Sequence, residues 1–166
     1  MTAVPTKLWL RDAEASDSRT LWEWANDPVT RQQSFSSAPI PWEDHERWFA
    51  RKLQDSSCHL FIALDEQGEA IGQVRFDPAD PGEVVISVSI AAAARGRGFG
   101  AEAIAQACAA LRPLAAPVTV VAFIRGDNVA SQRAFTRAGF SAPQSVDYQG
   151  HAAVRQVLQL TEAGVA

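Results

Sequence analysis

Between residues 90 and 102 the chain reads Ile90-Ala-Ala-Ala-Ala-Arg95-Gly96-Arg97-Gly98-Phe99-Gly100-Ala101-Glu102. Glycines at 96, 98 and 100 let a backbone curl tightly and bring its N–H groups close to a ligand. The residues that follow have helical spacing, so free N–H groups and the positive end of a helix dipole point at the same turn. Phosphate oxygens are what such a site prefers, and Arg95 and Arg97 add charge-assisted donors. The same turn could simply join a strand to a helix. A Walker loop would need Gly-Lys-Ser/Thr before its helix, and none is present. A dinucleotide fingerprint would need Gly-x-Gly-x-x-Gly with an acid about 20 residues on, and this spacing and the Leu114–Pro117 stretch supply neither.

Other residues with chemical capacity are scattered. Asn128 and Ser131 open a second helical stretch, where Asn is also a preferred cap. His45 sits among tryptophans and a phenylalanine, and Glu83 starts a strand-like segment. Cys58 and Cys108 make neither a disulfide framework nor a metal-ligand cluster, and read as small buried hydrophobes in a reducing cytoplasm. No metal is expected. The net charge of −4 and isoelectric point near 5.3 argue against nucleic acid as partner. A local anion site remains open, because Arg75, Arg95, Arg97, Arg112, Arg125 and Arg133 fall in the central and later parts of an acidic chain. No run approaches the apolar length that crosses a bilayer, and no signal-peptide pattern opens the chain, so a cytoplasmic protein without membrane contact is expected.

The elements that must position these groups follow from periodicity and punctuation. An extended stretch begins at Lys7–Arg11, and Asp17-Ser18 caps a helix carrying Leu21, Trp22 and Trp24. Asn26-Asp27-Pro28 stops it, and a polar, irregular segment runs through Ser34–Pro39. Pro41 suits the first turn of a helix to about Leu53, with Trp42, His45, Phe49 and Lys52 on one face and Trp48 beside them. Strands are predicted at Leu60–Leu64, Ile71–Phe76 and Val84–Ile90. A helix carrying Ile104, Ala107, Cys108 and Leu111 is expected to break at Pro113 and Pro117. Val118–Ile124 reads as a buried strand, Asn128 starts a helix closed at Gly139, and Ala142–Tyr148 with His151–Leu160 form a hairpin turned at Gln149-Gly150. The length of 166 residues suits a single α/β (α+β) domain. Residues 1–57 would form an acceptor-side region and residues 58–160 a coenzyme-binding core.

Arg95-x-x-Gly98-x-Gly100-Ala101 resembles the coenzyme signature of the GNAT superfamily of acyl-CoA N-acyltransferases, Gln/Arg-x-x-Gly-x-Gly/Ala. About 30 residues on, Asn128-Val-Ala-Ser131-Gln-Arg-Ala-Phe135-Thr-Arg-Ala-Gly139-Phe140 resembles the family's second motif. The resemblance covers roughly residues 60–160. It implies a central mixed, mostly antiparallel twisted sheet of six to seven strands with flanking helices, and acetyl-CoA as cosubstrate. It implies that the backbone of Val88 and Ile90 pairs with the pantetheine arm as a strand would. Arg95, Gly96, Arg97, Gly98, Phe99, Gly100 and Ala101 would hold the pyrophosphate, and Asn128, Ser131 and Phe135 would lie along the coenzyme. The amine would attack the thioester directly, with a strand N–H near Val88–Ile90 polarising the carbonyl. Glu83 and His45 are candidates for taking the amine's proton. Many relatives carry a tyrosine where Phe135 stands, so Ser131, water or unaided departure of a weakly basic thiolate would have to serve, with Tyr148 in the late hairpin a weaker replacement.

The N-terminal third resembles, less specifically, enzymes that acetylate the 4-amino group of a UDP-linked deoxy-amino sugar in pseudaminic acid biosynthesis. Trp24, Asn26, Arg31, Ser34, His45, Trp48 and Arg75 are then the acceptor-binding candidates. Trp24 and Trp48 would stack a ring, and Arg31 or Arg75 would pair with a diphosphate. A peptide or ribosomal-protein N-terminal acetyltransferase, another small-amine acetyltransferase and a non-catalytic acyl-CoA sensor are the rival readings. A homodimer is compatible with all of them.

Overall fold

A computed structural model describes residues 7–162. Its seven strands form one sheet in the order β1-β2-β3-β4-β5-β7-β6. They are β1 (Trp9–Asp12), β2 (His59–Leu64), β3 (Ala70–Pro78), β4 (Glu83–Ile90), β5 (Val118–Arg125), β6 (Gln144–Tyr148) and β7 (His151–Leu160). Every neighbouring pair is antiparallel except β4–β5, which is parallel. Five helices flank the sheet: α1 (Ser18–Ala25), α2 (Pro28–Gln33), α3 (Trp42–Gln54), α4 (Phe99–Ala115) and α5 (Val129–Arg137). The expected mixed, mostly antiparallel architecture is present.

Strand alternation sorts side chains onto two faces. Phe61 and Ala63 of β2 join the larger core with Val74, Phe76, Ile86, Ile104, Leu111 and Phe135. Ile62, one residue out of phase, packs with Leu21 and Phe49 in a second cluster beneath α1 and α3, joined at its edge by Trp24, Trp48 and Leu60. Register then dictates what else faces α3. Arg75 lies opposite Leu60 and Ser87, and Gln73 opposite Ile62 and Ser89, so these polar residues share the face of the second cluster.

Two elements differ from expectation. Pro28 does not only end α1: Asp27 accepts hydrogen bonds from Val29 and Thr30 at 3.1 Å, and Pro28 opens α2 from the first helical position, where its missing N–H costs nothing. Pro113 does not break α4, which continues through it to Ala115, with Ala116 N–H still reaching the Arg112 carbonyl at 3.0 Å. A proline in the last turn removes one interior bond and leaves the remainder intact. The other end of the coenzyme-like region closes as predicted. Phe140 N–H bonds Phe135 O and Gly139 N–H bonds Thr136 O, with Gly139 at φ 98°. This paired helix-ending motif brings Phe135 and Phe140 edge to face at 5.0 Å.

Candidate functional site: a split between two parallel strands

β4 and β5 pair over only three positions, Glu83–Val85 against Thr119–Val121, and then diverge. Beyond Val85 the edge of β4 that faced β5 has no strand partner. The residues on that edge follow from phase. Ala91 N–H bonds Ile71 O and Glu83 O accepts from Ala79, so odd-numbered peptide groups point to the β3 side. Gly82 O accepts from Thr119 on the β5 side. Alternation therefore turns the backbone of Ile86, Val88 and Ile90 into the split. An extended ligand can add itself there as a strand.

The split opens into a cavity of about 840 Å³ whose lining includes Val88, Ile90, Arg95, Gly100, Asn128, Ser131 and Phe135. Gly98, in the left-handed region at φ 82°, caps α4, so the first-turn N–H groups from Phe99 onward have no helical acceptor. Gly100 sits where α4, α5 and β4 converge: a Cβ there would lie 3.8 Å from Ala134 Cβ and 4.0 Å from Ile90 Cγ1. Asn128 caps α5 by accepting from Ser131 N–H at 3.2 Å, and both residues line the cavity. Phe135 borders it too, yet is 3% exposed. Its helix-ending contact with Phe140 is what an aromatic ring, with or without a hydroxyl, does at that position.

A second cavity of about 580 Å³ lies on the α1–α3 side and shares Thr30, Arg31, Ser34, Arg75, Ser87, Val88 and Ser89 with the first. Trp48, His45, Arg51, Gln73 and Asp44 complete its chemistry. Arg75 stacks over Trp48 at 4.9 Å and pairs with Asp77 at 2.6 Å, which Lys52 shares at 2.6 Å. Burial raises the Asp77 carboxyl, but Arg75 and Lys52 outweigh it and hold the group below its ordinary value. Arg31 meets no carboxylate among the described residues. It donates to the carbonyls of Ala25, Ser36 and Ala38 and to Ser34 Oγ, and so organises the loop after α2. Arg125 reaches the same loop at Ser34 O. Cations therefore outnumber acids around the chamber, with Arg75 and Lys52 sharing Asp77. Arg31, Arg51 and Arg75 line the second cavity, where Asp44, the one acid, is paired with Arg47 at 2.7 Å.

Several sequence candidates take other roles. Arg95 does not spend its guanidinium on the loop. Nε donates to Ile90 O at 3.1 Å, and Nη2 reaches Asp27 Oδ2 at 2.9 Å and Thr30 Oγ1 at 3.0 Å. The Ile90 carbonyl, expected to serve the coenzyme arm, is thus already engaged. Phe99 is buried in the main core, with Arg97 above its ring at 4.9 Å, while Gly96, Arg97 and Gly98 on the turn and Ala101 in the first turn of α4 lie outside the cavity lining. Glu83 lines neither cavity. It sits at the paired end of β4, bonded to Arg155 at 3.1 Å. Trp24 and Asn26 also line neither; Asn26 fixes the loop by exchanging hydrogen bonds with Ile40 N–H and O. His45 is 3% exposed, stacked on Trp42 and Phe49, with Nε2 2.8 Å from Ser18 O. Since a carbonyl only accepts, Nε2 carries the proton, and burial keeps the ring below its ordinary pKa.

Sequence reasoning missed the polar row of Gln73, Ser87 and Ser89, the shared Lys52–Asp77–Arg75 contact, and the placement of Tyr148 on Phe123. Alternation along β3 and β4 could have found the row. Tyr148 stacks on Phe123 at 4.0 Å and borders the large cavity. Among the described residues no group of three or more His, Cys, Asp or Glu converges as a metal site would require, and no helix is long and apolar enough to cross a membrane.

A split parallel pair, a glycine-opened helix start beside it and a polar chamber behind define an acetyl-CoA-dependent N-acyltransferase. Residues 7–141 match the model of the acetyltransferase (GNAT) domain, and the chain belongs to that family. Solved structures agree in fold. The spermidine N-acetyltransferase from Vibrio cholerae, in complex with CoA and spermine, superposes with a TM-score of 0.81 at 17% identity, covering 92% of this chain and 95% of that one. An aminoglycoside acetyltransferase in complex with coenzyme A and kanamycin gives 0.78 at 22% identity, over 92% and 95%. A putative phosphinothricin N-acetyltransferase gives 0.76 at 25% identity, over 94% and 100%. No curated protein matches the chain.

Proposed function

We propose that this enzyme acetylates the amino group of a nucleotide-linked amino sugar in the cytoplasm, by direct attack of the amine on the thioester. Residues 58–160 hold the coenzyme, and the described residues of the 1–57 region shape the acceptor chamber together with Gln73, Arg75, Ser87 and Ser89. The observation that carries the reading is the charge of that chamber. Arg31 and Arg51 face it with no carboxylate partner among the described residues, Arg75 and Lys52 share the single carboxylate of Asp77, and Asp44 is paired with Arg47. Such a lining favours a diphosphate and disfavours a polycation. Trp48, backed by Arg75, offers a ring face for a sugar or base. The solved relatives with spermine or kanamycin bound carry polycationic ligands.

Acetyl-CoA supplies the thioester. The backbone of Val88, with Ile86 beside it, aligns an extended arm, and a free N–H on that edge polarises the carbonyl. The first turn of α4 and its glycines fit a pyrophosphate. His45 borders the acceptor chamber, and its neutral form has Nδ1 left as an acceptor, so we assign it the ammonium's proton. Ser131 lines the coenzyme cavity where a departing thiolate would lie.

The test is a panel: purified enzyme, acetyl-CoA, and either UDP-4-amino sugars, peptides with free N-termini, or spermidine, with release of free CoA measured. Turnover is expected with the UDP-amino sugars, with kcat/KM at least about tenfold above the others. Turnover confined to peptides or polyamines refutes the acceptor assignment. Tight acetyl-CoA binding without turnover on any amine makes the chain a sensor.

A further inference from the structure

The arginine that opens the coenzyme signature bonds in a direction unrelated to phosphate. Its Nε donates to Ile90 O at 3.1 Å, on the edge of β4 that faces the split. Its Nη2 crosses to Asp27 Oδ2 at 2.9 Å and Thr30 Oγ1 at 3.0 Å, 68 and 65 residues earlier in the chain. The oxygen of Asp27 that receives it is the one capping α2 through Val29 and Thr30 N–H. One residue beyond Thr30, Arg31 gathers the carbonyls of Ser36 and Ala38 and the hydroxyl of Ser34 into the chamber wall. Arg95, Asp27, Thr30 and Arg31 therefore link the end of β4, a helix start and the acceptor loop.

We propose that Arg95 is a positioning residue that couples coenzyme binding to the acceptor site through Asp27 and Thr30, and that it is not a phosphate ligand. An arm pairing along β4 orders the peptide groups next to Ile90. Arg95 then holds the start of α2 in register, and with it Arg31 and Ser34. The acetyltransferase class is the ground for this inference; the identity of the acceptor is not.

Arg95→Ala, Arg95→Lys, Asp27→Asn and the Arg95→Ala/Asp27→Asn double variant separate the possibilities. Asn caps helices nearly as well as Asp, so Asp27→Asn spares α2 while removing the charge. The dissociation constant for CoA is expected to stay within about threefold of wild type in all four, whereas loss of a charge-assisted contact raises the KM for the UDP-amino sugar about ten- to hundredfold. The double variant is expected to be no worse than Arg95→Ala, and Arg95→Lys to recover part of the loss. Hydrogen exchange gives a readout that needs no acceptor. CoA is expected to protect the amides of residues 28–36 in wild type and to lose that effect in Arg95→Ala. A fall in CoA affinity of tenfold or more in Arg95→Ala, with Asp27→Asn unaffected, would overturn the proposal and return Arg95 to the phosphate. Equal protection of residues 28–36 in wild type and Arg95→Ala would overturn it as well. Failure of the sugar alone, with the exchange result intact, refutes only the acceptor assignment.

Discussion

Gly100→Val tests the placement of the coenzyme at the start of α4. A Cβ on Gly100 would meet Ala134 Cβ at 3.8 Å and Ile90 Cγ1 at 4.0 Å, both ordinary van der Waals contacts. The protein alone therefore has room for the first carbon, and valine in a first helical turn costs no more than glycine. Gly98 is a poorer probe, because at φ 82° a side chain adds about 1–2 kcal/mol of backbone strain. If the pyrophosphate rests on the bare main chain beside Gly100, the branched side chain takes its space. Losing two charge-assisted N–H contacts at about 1.5–3 kcal/mol each gives roughly 3–6 kcal/mol, or on the order of 10²–10⁴ in Kd. Titration calorimetry with CoA measures that loss, and a thermal melt without ligand checks that the midpoint stays within a few degrees. Gly100→Ala should show a smaller penalty in the same direction. A folded Gly100→Val protein binding CoA as wild type does would refute the placement.

Gly72→Ala should be worse for the apoprotein, since its Cβ would fall 2.7 Å from Ser89 O and 2.8 Å from Ile90 Cδ1. A cost of about 1–3 kcal/mol in chemical denaturation is expected, with weaker CoA binding because β4 must shift. Asp77→Asn leaves Lys52 and Arg75 without their shared carboxylate and should cost about 1–3 kcal/mol. Because the folded pKa of Asp77 is depressed, its contribution is present above the unfolded value of 3.8 and is lost as pH falls through the folded value. The wild-type melt should therefore drop on acidification below that point more steeply than the Asp77→Asn melt. His45 has the same sign for a different reason: its lowered pKa makes protonation unfavourable in the fold, so stability falls as pH drops below 6.5. His45→Phe should remove that slope, read from melts between pH 5 and 8. Arg31→Ala should raise the acceptor KM about tenfold or more, because the loop through Ala38 loses its organiser, with CoA affinity retained.

The parts of this fold governed by local chemistry were readable in sequence. Alternation placed β2, β3 and β4, and the Asn128 cap and the Gly139 stop bounded α5. Local signals misled where one residue type has two uses. Pro28 both ends α1 and begins α2, and Pro113 is tolerated within a last turn. Long-range partners were not readable at all. Glu83 looked available to an incoming amine until Arg155, 72 residues later, met it across β5, and Arg95 looked like a phosphate donor until Asp27 claimed it. Phe135 marked a departure from a motif; its edge-to-face contact with Phe140 shows why an aromatic stands there, but not why it lacks a hydroxyl.

The three-position union of β4 with β5 has a thermodynamic corollary. Strands β1–β4 and β5–β7 are two half-sheets whose mutual ladder ends after Val85 and Val121, so an arm bound as proposed would supply rungs that the polypeptide lacks. On the proposed binding mode, the coenzyme would join the sheet's own bonding while it is present. Resistance of this enzyme to heat or protease should then climb with the logarithm of free coenzyme once its concentration exceeds Kd, tying its lifetime to the abundance of the coenzyme pool.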